Sequence, residues 1–488
     1  MYNKKYLVIL FVCSIFAISI YLLTSEIIFR TGFPLDDAWI HQTYARNLAQ
    51  RGEWSYVPGE HSAGSTSPLW TLLIAIGFVL KLGPYLWTYF LGWILLFMFG
   101  ILGYLAFYYI TGHNNGWALA SGLLLVLEWH LIWSAVSGME TLLFSFLVFL
   151  ILVLLVIGWN RWAIIGGLIG VCIWIRPDGT TLLVPALLAI GIGKLPIREK
   201  IWAIIRCLVG VTCLLIPYLI FNNSVGGTWL PNTFFAKQAE YAIELSAPIS
   251  NRLLEQALLP MVGVGICLLP GLIIFIVKAF KQQAWLKLIP PLWGIGYLCL
   301  YALRLPVVYQ HGRYVIPMMP VYFFFAWIGL AEWVELSSPI YWKRIISRVW
   351  VMVTFVTLAT FFVLGARAYG NDVALIESEM VSTAQWVAEN TEPGALIAAH
   401  DIGALGYFGE RKLLDLAGLI SPGVIPFIRD ESRLAQYINE QGADYLITFP
   451  GWYPQLVQTA QPYHSTQGQY SLSQGGENMV VYKWSLKP

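Results

Sequence analysis

Charge is what this sequence has least of. Only 11% of its 488 residues are Asp, Glu, Lys or Arg, against about 25% in soluble domains, so most of the chain cannot present a water-facing surface. Cysteine is scarce and unpaired. The six copies (Cys13, Cys172, Cys207, Cys213, Cys267 and Cys299) all lie in apolar runs, none belongs to a C-x-x-C pair, and residues 370–488 contain none. This disfavours disulfides and a thiolate metal site and leaves small buried hydrophobes. A nucleotide fingerprint is missing too, because DIGALGYFG at 401–409 does not follow G-x-G-x-x-G. No nucleic acid is expected as a partner.

What is abundant is apolar length. The chain is 58% hydrophobic, its mean hydropathy is +0.66, and runs near the bilayer-spanning length of about 20 residues recur along it. The net charge of +2 hides an asymmetry: residues 370–488 hold 13 acidic and 6 basic side chains. A long transmembrane region, residues 1–369, is therefore expected to precede an acidic domain, residues 370–488. The opening MYNKKYLVILFVCSIFAISIYLL could pass for a signal peptide. Its apolar run is long and no clean small-x-small site follows, so it reads as a retained helix with Lys4 and Lys5 cytoplasmic.

Basic clusters set the topology. Arg161, Lys194/Arg198/Lys200/Arg206, Lys278/Lys281/Lys287 and Lys343/Arg344/Arg348 read as cytoplasmic turns, as does GHNNG at 112–116. After the first helix, spans are expected near 85–110, 117–135, 139–158, 162–175, 179–193, 201–221, 257–279, 286–304, 312–334 and 346–366. That makes about eleven, N-in and C-out. SPLWTLLIAIGFVLKLG at 67–83 is too short to cross and reads as a juxtamembrane helix within a first external loop of residues 30–84. The tail alternates helix-like VALIESEMVSTAQWVAENT and RLAQYINEQG with strand-like GALIAAH, ADYLITF and MVVYKW, the pattern of a small extracytoplasmic α/β domain.

On this topology every polar cluster faces one side: Asp36/Asp37, Glu140, RPDG at 176–179, LPNTFFAKQ at 230–238 and QHGRY at 310–314. LDDAWIHQTYARNLA has helical periodicity, so Asp36 or Asp37 could simply cap it. One of them could instead be a general base at the membrane face. Adjacent helical residues point about 100° apart, so only one can aim into a cleft. Lys237 and Arg313, beside His311, invite an anionic ligand such as a phosphate, or else snorkel at the headgroups. Glu140 could cap its helix, and Asp178 could pair with Arg176. Trp54, Tyr56 or Trp70 could stack on a sugar. His41 and His61 could join carboxylates at a metal, although no ligand spacing supports it. NNS at 222–224 matches a glycosylation sequon.

Taken together, DDAWIHQTYARNLA…GSTSPLW, SGMET, RPDG, LPNTFFAK, GRYVIPMMP and DIGALGYFGERKLLDLAGLISP resemble the GT-C glycosyltransferases. They are most similar to the mycobacterial terminal arabinofuranosyltransferase and its bacterial relatives, over about residues 30–430. The resemblance implies transfer of a pentose or hexose from a polyprenyl-phosphate carrier to an extracytoplasmic glycan, lipid or protein. It also implies that a first-loop acid is the base. Asp36 is the choice for that base with Asp37 as partner, while Lys237, His311, Arg313, Glu140, Arg176, Asn232 and His41 would form the substrate and lipid-phosphate set. No cofactor is required on this reading, though Mg²⁺ or Mn²⁺ would suit the carboxylates. The rivals are a ligase or polymerase using lipid-diphosphate donors, a lipid or sugar transporter, and a tail that only binds glycans.

Overall fold

The computed structural model describes residues 4–112, 115–337 and 339–485. Seven of the described helices are long and apolar enough to cross a membrane: Lys4–Ile28, Pro84–Thr111, Ile197–Gly226, Val264–Lys281, Trp285–Arg304, Tyr309–Ser337 and Tyr341–Asn390. The pair Asn115–Leu127 and Trp129–Ala135, bent by 54°, makes an eighth, and Thr141–Val156, Trp162–Ile175 and Pro177–Ile192 are shorter apolar helices. Each of the eleven expected spans thus coincides with an apolar helix. Within the expected turn at 112–116, His113 and Asn114 lie outside the described residues.

The bend has a local cause. Glu128 leaves the helical region (φ −72°, ψ 125°), accepts from the Leu131 N–H at 3.1 Å and pairs with His130 Nδ1 at 2.8 Å. Its carboxylate therefore starts a new helix rather than continuing the old one. Met319–Ser337 is buried almost all round, with Phe323, Phe324, Phe325 and Trp327 fully inaccessible, as a helix apolar on every face must be. It meets Val264–Lys281 through glycine: a Cβ on Gly329 would stand 1.9 Å from the Gly271 carbonyl oxygen. Only small residues allow such backbone approach between membrane helices.

The expected start of that span at 312 is not helical. Gln310, His311 and Gly312 are all left-handed, with φ of 52°, 57° and 68°. Each non-glycine residue there costs about 1–2 kcal/mol, and the turn redirects Arg313 toward the first loop.

In that loop, Asp37–Arg51 and Pro68–Val79 form two short helices packed on each other, separated by a hairpin of β1 (Ser55–Val57) and β2 (Glu60–His61). The tail contains a five-stranded sheet. Its strands are β3 (Leu396–Ala399), β4 (Lys412–Asp415), β5 (Tyr445–Thr448), β6 (Gln461–Ser465) and β7 (Val480–Lys483), in the order β4-β3-β5-β7-β6. β3 runs parallel to β4 and β5, whereas β7 is antiparallel to β5 and β6. Successive strand residues face opposite sides. Ile397, Ala399 and Ile447 join the large core shared with the membrane helices. Ala398 and Leu446 pack with Leu434 and Ile438 of the helix Glu431–Gln441 in a second core.

Candidate active site

A cavity of about 500 Å³ lies between the first loop, the membrane helices and the tail. Asp37, Glu140, Arg176, Asp178, Lys237, Arg304 and Arg313 supply its charge, His41 lies among them, and Leu215, Leu230, Phe234, Leu300 and Leu305 are among its apolar wall. Leu419 closes it from the tail.

Asp37 opens the helix Asp37–Arg51, where backbone N–H groups favour negative charge. Its Oδ2 accepts from Arg313 Nη2 at 2.6 Å, and the second guanidinium nitrogen, Nη1, is buried without a partner. Burial alone would push the Asp37 carboxyl up, but Arg313 and Lys237 outweigh it and hold the group below the usual carboxylate range.

Asp36, the expected base, points elsewhere and is not among the residues that line the cavity. It does not cap its own helix. Its oxygens accept from the N–H groups of Gly403 and Ala404 at 2.6 and 2.8 Å, so it tethers the tail instead. Burial and the nearby Asp401 push its pKa up to about 8. Arg46 adds contacts to the carbonyls of Gly406 and Tyr407, and the Tyr56 hydroxyl donates to the Ile402 carbonyl.

His311 is also displaced from the expected phosphate set. Its Nε2 sits 2.7 Å from Asp372 Oδ2, and its ring lies between Trp129 and Trp133. It does not line the cavity. Asn232 is likewise outside the wall, donating to the Leu419 carbonyl at 3.2 Å and thus joining the loop helix Asn232–Glu240 to the tail.

The remaining expected residues do meet at the cavity. Glu140 does not cap its helix but lies 3.4 Å from His41 Nε2, while His41 Nδ1 bonds Thr71 Oγ1 at 3.1 Å. Arg176 is held by Asp178 at 2.9 Å and by the Tyr301 hydroxyl at 2.8 Å, so its charge is locally compensated. Lys237 pairs with Glu240 at 3.0 Å. His61 instead contacts the Trp54 carbonyl at 3.1 Å and is not among the residues that line the cavity. Among the described residues no three His, Cys, Asp or Glu side chains gather as a metal site.

Trp70 and Tyr56 are buried, and Trp54 packs on Tyr44 and Phe221, so the first-loop aromatics are structural. Asn222 of the sequon is buried and bonded to the Tyr218 carbonyl. Sequence reasoning missed four residues. Arg304 lines the cavity 4.8 Å from the Phe234 ring and faces the Gln238 side-chain amide, whose oxygen accepts from it at 2.6 Å when the amide is oriented to satisfy both its O and its N. Glu240, His400 and Asp401 form a charged seam behind Lys237, with His400 Nε2 at 3.3 Å from Glu240. The charged end of an otherwise apolar span was the one available signal for Arg304.

The comparisons with known proteins fall in line with this architecture. Residues 371–482 match DUF8728, a domain of unknown function. No curated protein matches the chain in sequence. In three dimensions it is similar to ArnT from Cupriavidus metallidurans bound to undecaprenyl phosphate, with a TM-score of 0.61, 14% identity and 97% of both chains covered. The apo state of that protein gives a TM-score of 0.60 at the same identity and coverage. From first helix to tail, the chain has the fold that ArnT shows.

Proposed function

We propose that the chain is a multi-pass membrane glycosyltransferase that takes a sugar from a polyprenyl-phosphate donor and passes it to an extracytoplasmic hydroxyl acceptor. The observation that carries this reading is Asp37: a carboxylate on the wall of a largely apolar cavity, paired with Arg313 and within the field of Lys237, in a cavity that Arg304 also lines. The ArnT likeness supports it, since that protein binds undecaprenyl phosphate. The motif resemblance makes arabinofuranose the first sugar to test.

Asp37, rather than Asp36, is the proposed base. It removes the proton as the acceptor oxygen attacks the anomeric carbon. The bond from that carbon to the phosphate oxygen breaks, and polyprenyl phosphate leaves with the electron pair, inverting the centre. Arg304, Lys237 and Arg313 stabilise the charge that develops on the phosphate. The apolar wall accommodates the first isoprene units. His41 and Glu140 orient the sugar hydroxyls. The cavity and tail lie on the extracytoplasmic side on this reading, where a lipid carrier must bring the activated sugar.

The test is turnover by purified protein in nanodiscs with a panel of polyprenyl-phosphate sugars, following free polyprenyl phosphate by mass spectrometry. Consumption of one donor by the wild type but not by Asp37→Asn is the expected result. Equal consumption by both proteins removes Asp37 from the chemistry, and no turnover of any monophosphate donor, with envelope acceptors present, rejects the donor class.

A further inference from the structure

The three parallel strands of the tail end at the membrane half of the molecule. β3 runs into His400 and Asp401. β4 runs into Asp415, whose carboxylate accepts from the Ala417 and Ile420 N–H groups and shapes the loop that brings Leu419 to the cavity. β5 runs into Phe449, Trp452 and Tyr453. Ligands of open α/β sheets bind at the carboxyl ends of the strands, and here that edge adjoins the cavity.

The junction is continuous. The Tyr453 hydroxyl lies 2.7 Å from His400 Nδ1, the other nitrogen of His400 lies 3.3 Å from Glu240, and Glu240 holds Lys237 of the cavity. Asp401 is half-buried, two residues before the glycine that binds Asp36, and it feels the charges of His400, Lys237, Asp37 and Glu240. Beside them Trp452 is 49% exposed, with its ring edge-on to His400 at 5.3 Å and supported behind by Phe449. An open indole presents an apolar face to the C–H side of a sugar ring, while the Asp401 carboxylate accepts from its hydroxyls; His400, with both nitrogens engaged, holds the indole and the Glu240–Lys237 pair in place at this edge.

We infer that the carboxyl edge of the tail sheet, formed by Trp452, His400 and Asp401, binds a carbohydrate acceptor and delivers its hydroxyl toward Asp37. The inference rests on the glycosyl-transfer reading, but binding at this edge needs no donor and can be read separately.

The experiment is retention of the full chain, in nanodiscs, on an array of immobilised hexose and pentose oligosaccharides. Wild type is compared with Trp452→Ala, Trp452→Phe, Asp401→Asn and, as a control, Trp342→Ala at an exposed tryptophan of the helix Tyr341–Leu375. The expected result is retention of at least one oligosaccharide series by wild type and by Trp342→Ala. Binding is expected to weaken tenfold or more in Trp452→Ala and Asp401→Asn and to recover partly in Trp452→Phe. Wild type retaining no oligosaccharide, or both edge variants binding as wild type does, overturns the inference. If these variants lose binding while no donor is ever consumed, the edge site stands and the transfer reading falls. Donor turnover with array binding unchanged in the variants has the reverse meaning.

Discussion

Arg313 donates to Asp37 across 2.6 Å, joining residues 276 positions apart in the chain. The contact exists because the left-handed turn Gln310–His311–Gly312 aims Arg313 inward and because Asp36, one residue before Asp37, is anchored on the tail. The acidic pair is thus divided between two tasks, one carboxylate in the cavity and one in the tail interface.

Removing each carboxylate should therefore have a different consequence. Asp37→Asn is expected to lower transfer by about 10²–10⁴, the usual contribution of a general base, with the unfolding midpoint unchanged within a few degrees. Asp36→Asn turns an amide N–H₂ toward a backbone N–H and should cost about 1–3 kcal/mol. Its signature is faster proteolysis of the tail with transfer reduced only in proportion. Comparing turnover with tail protection in both variants separates the two roles, and the assignment fails if Asp36→Asn alone is inactive while its tail stays fully protected.

The pH dependence of turnover follows from the same ion pair. A base must be deprotonated, so the rate falls as pH drops through the pKa of Asp37. Burial raises that pKa, but the Arg313 and Lys237 charges more than offset it and hold it down. In Arg313→Ala the acid limb of the kcat/KM profile should move to higher pH. An unmoved limb, in a variant that still turns over, would show that Arg313 does not set the charge of the base.

Arg304 offers a test of the phosphate side. No carboxylate pairs with it among the described residues; Gln238 and Phe234 hold it instead, so its charge is available to an anion. Losing a charge-assisted hydrogen bond costs about 1.5–3 kcal/mol. Arg304→Ala should raise the donor KM about 10- to 100-fold, and Arg304→Lys should recover part of it. A donor KM equal to that of wild type would take Arg304 out of the donor site.

Much of this arrangement was legible in the residues, for reasons that also explain what was not. Span positions follow from apolar length, which is a local property, and the short helix Pro68–Val79 was recognisable by being too short. The geometry of a helix said that only one of Asp36 and Asp37 could face a cleft. Which one depended on Gly403 and Ala404, more than 360 residues away. His311 is next but one to Arg313, yet the left-handed turn sends it to Asp372. The strand β6 (Gln461–Ser465) was missed because it is a polar edge strand containing Pro462, which only an edge tolerates. Glu128 went unused because one charge in an apolar run does not disclose that it bends the helix.

Docking of the tail should weaken as pH rises. Asp36 ordinarily titrates near 3.8, but burial first and the Asp401 charge second push it up to about 8, against the pull of the Ala404 and Gly403 N–H groups, and Asp37 adds to the rise. Between these values the docked form holds a proton that the undocked form has lost, so each step up in pH favours undocking, and the loss is complete above about 8. Asp401, raised to about 6, acts in the same direction. So does His400, whose pKa is raised because Glu240, Asp401 and the bond to Glu240 together outweigh burial. Asp37 and Glu240, both lowered, contribute the opposite slope only at more acid pH. Hydrogen exchange of the 402–406 amides, corrected for intrinsic rate, should therefore be at least tenfold less protected at pH 9 than at pH 6. Asp36→Asn should flatten that difference by removing its largest contributor. Equal corrected protection at the two pH values would mean that Asp36 is not the group that fastens the tail, and the division of labour between the two aspartates would have to be redrawn.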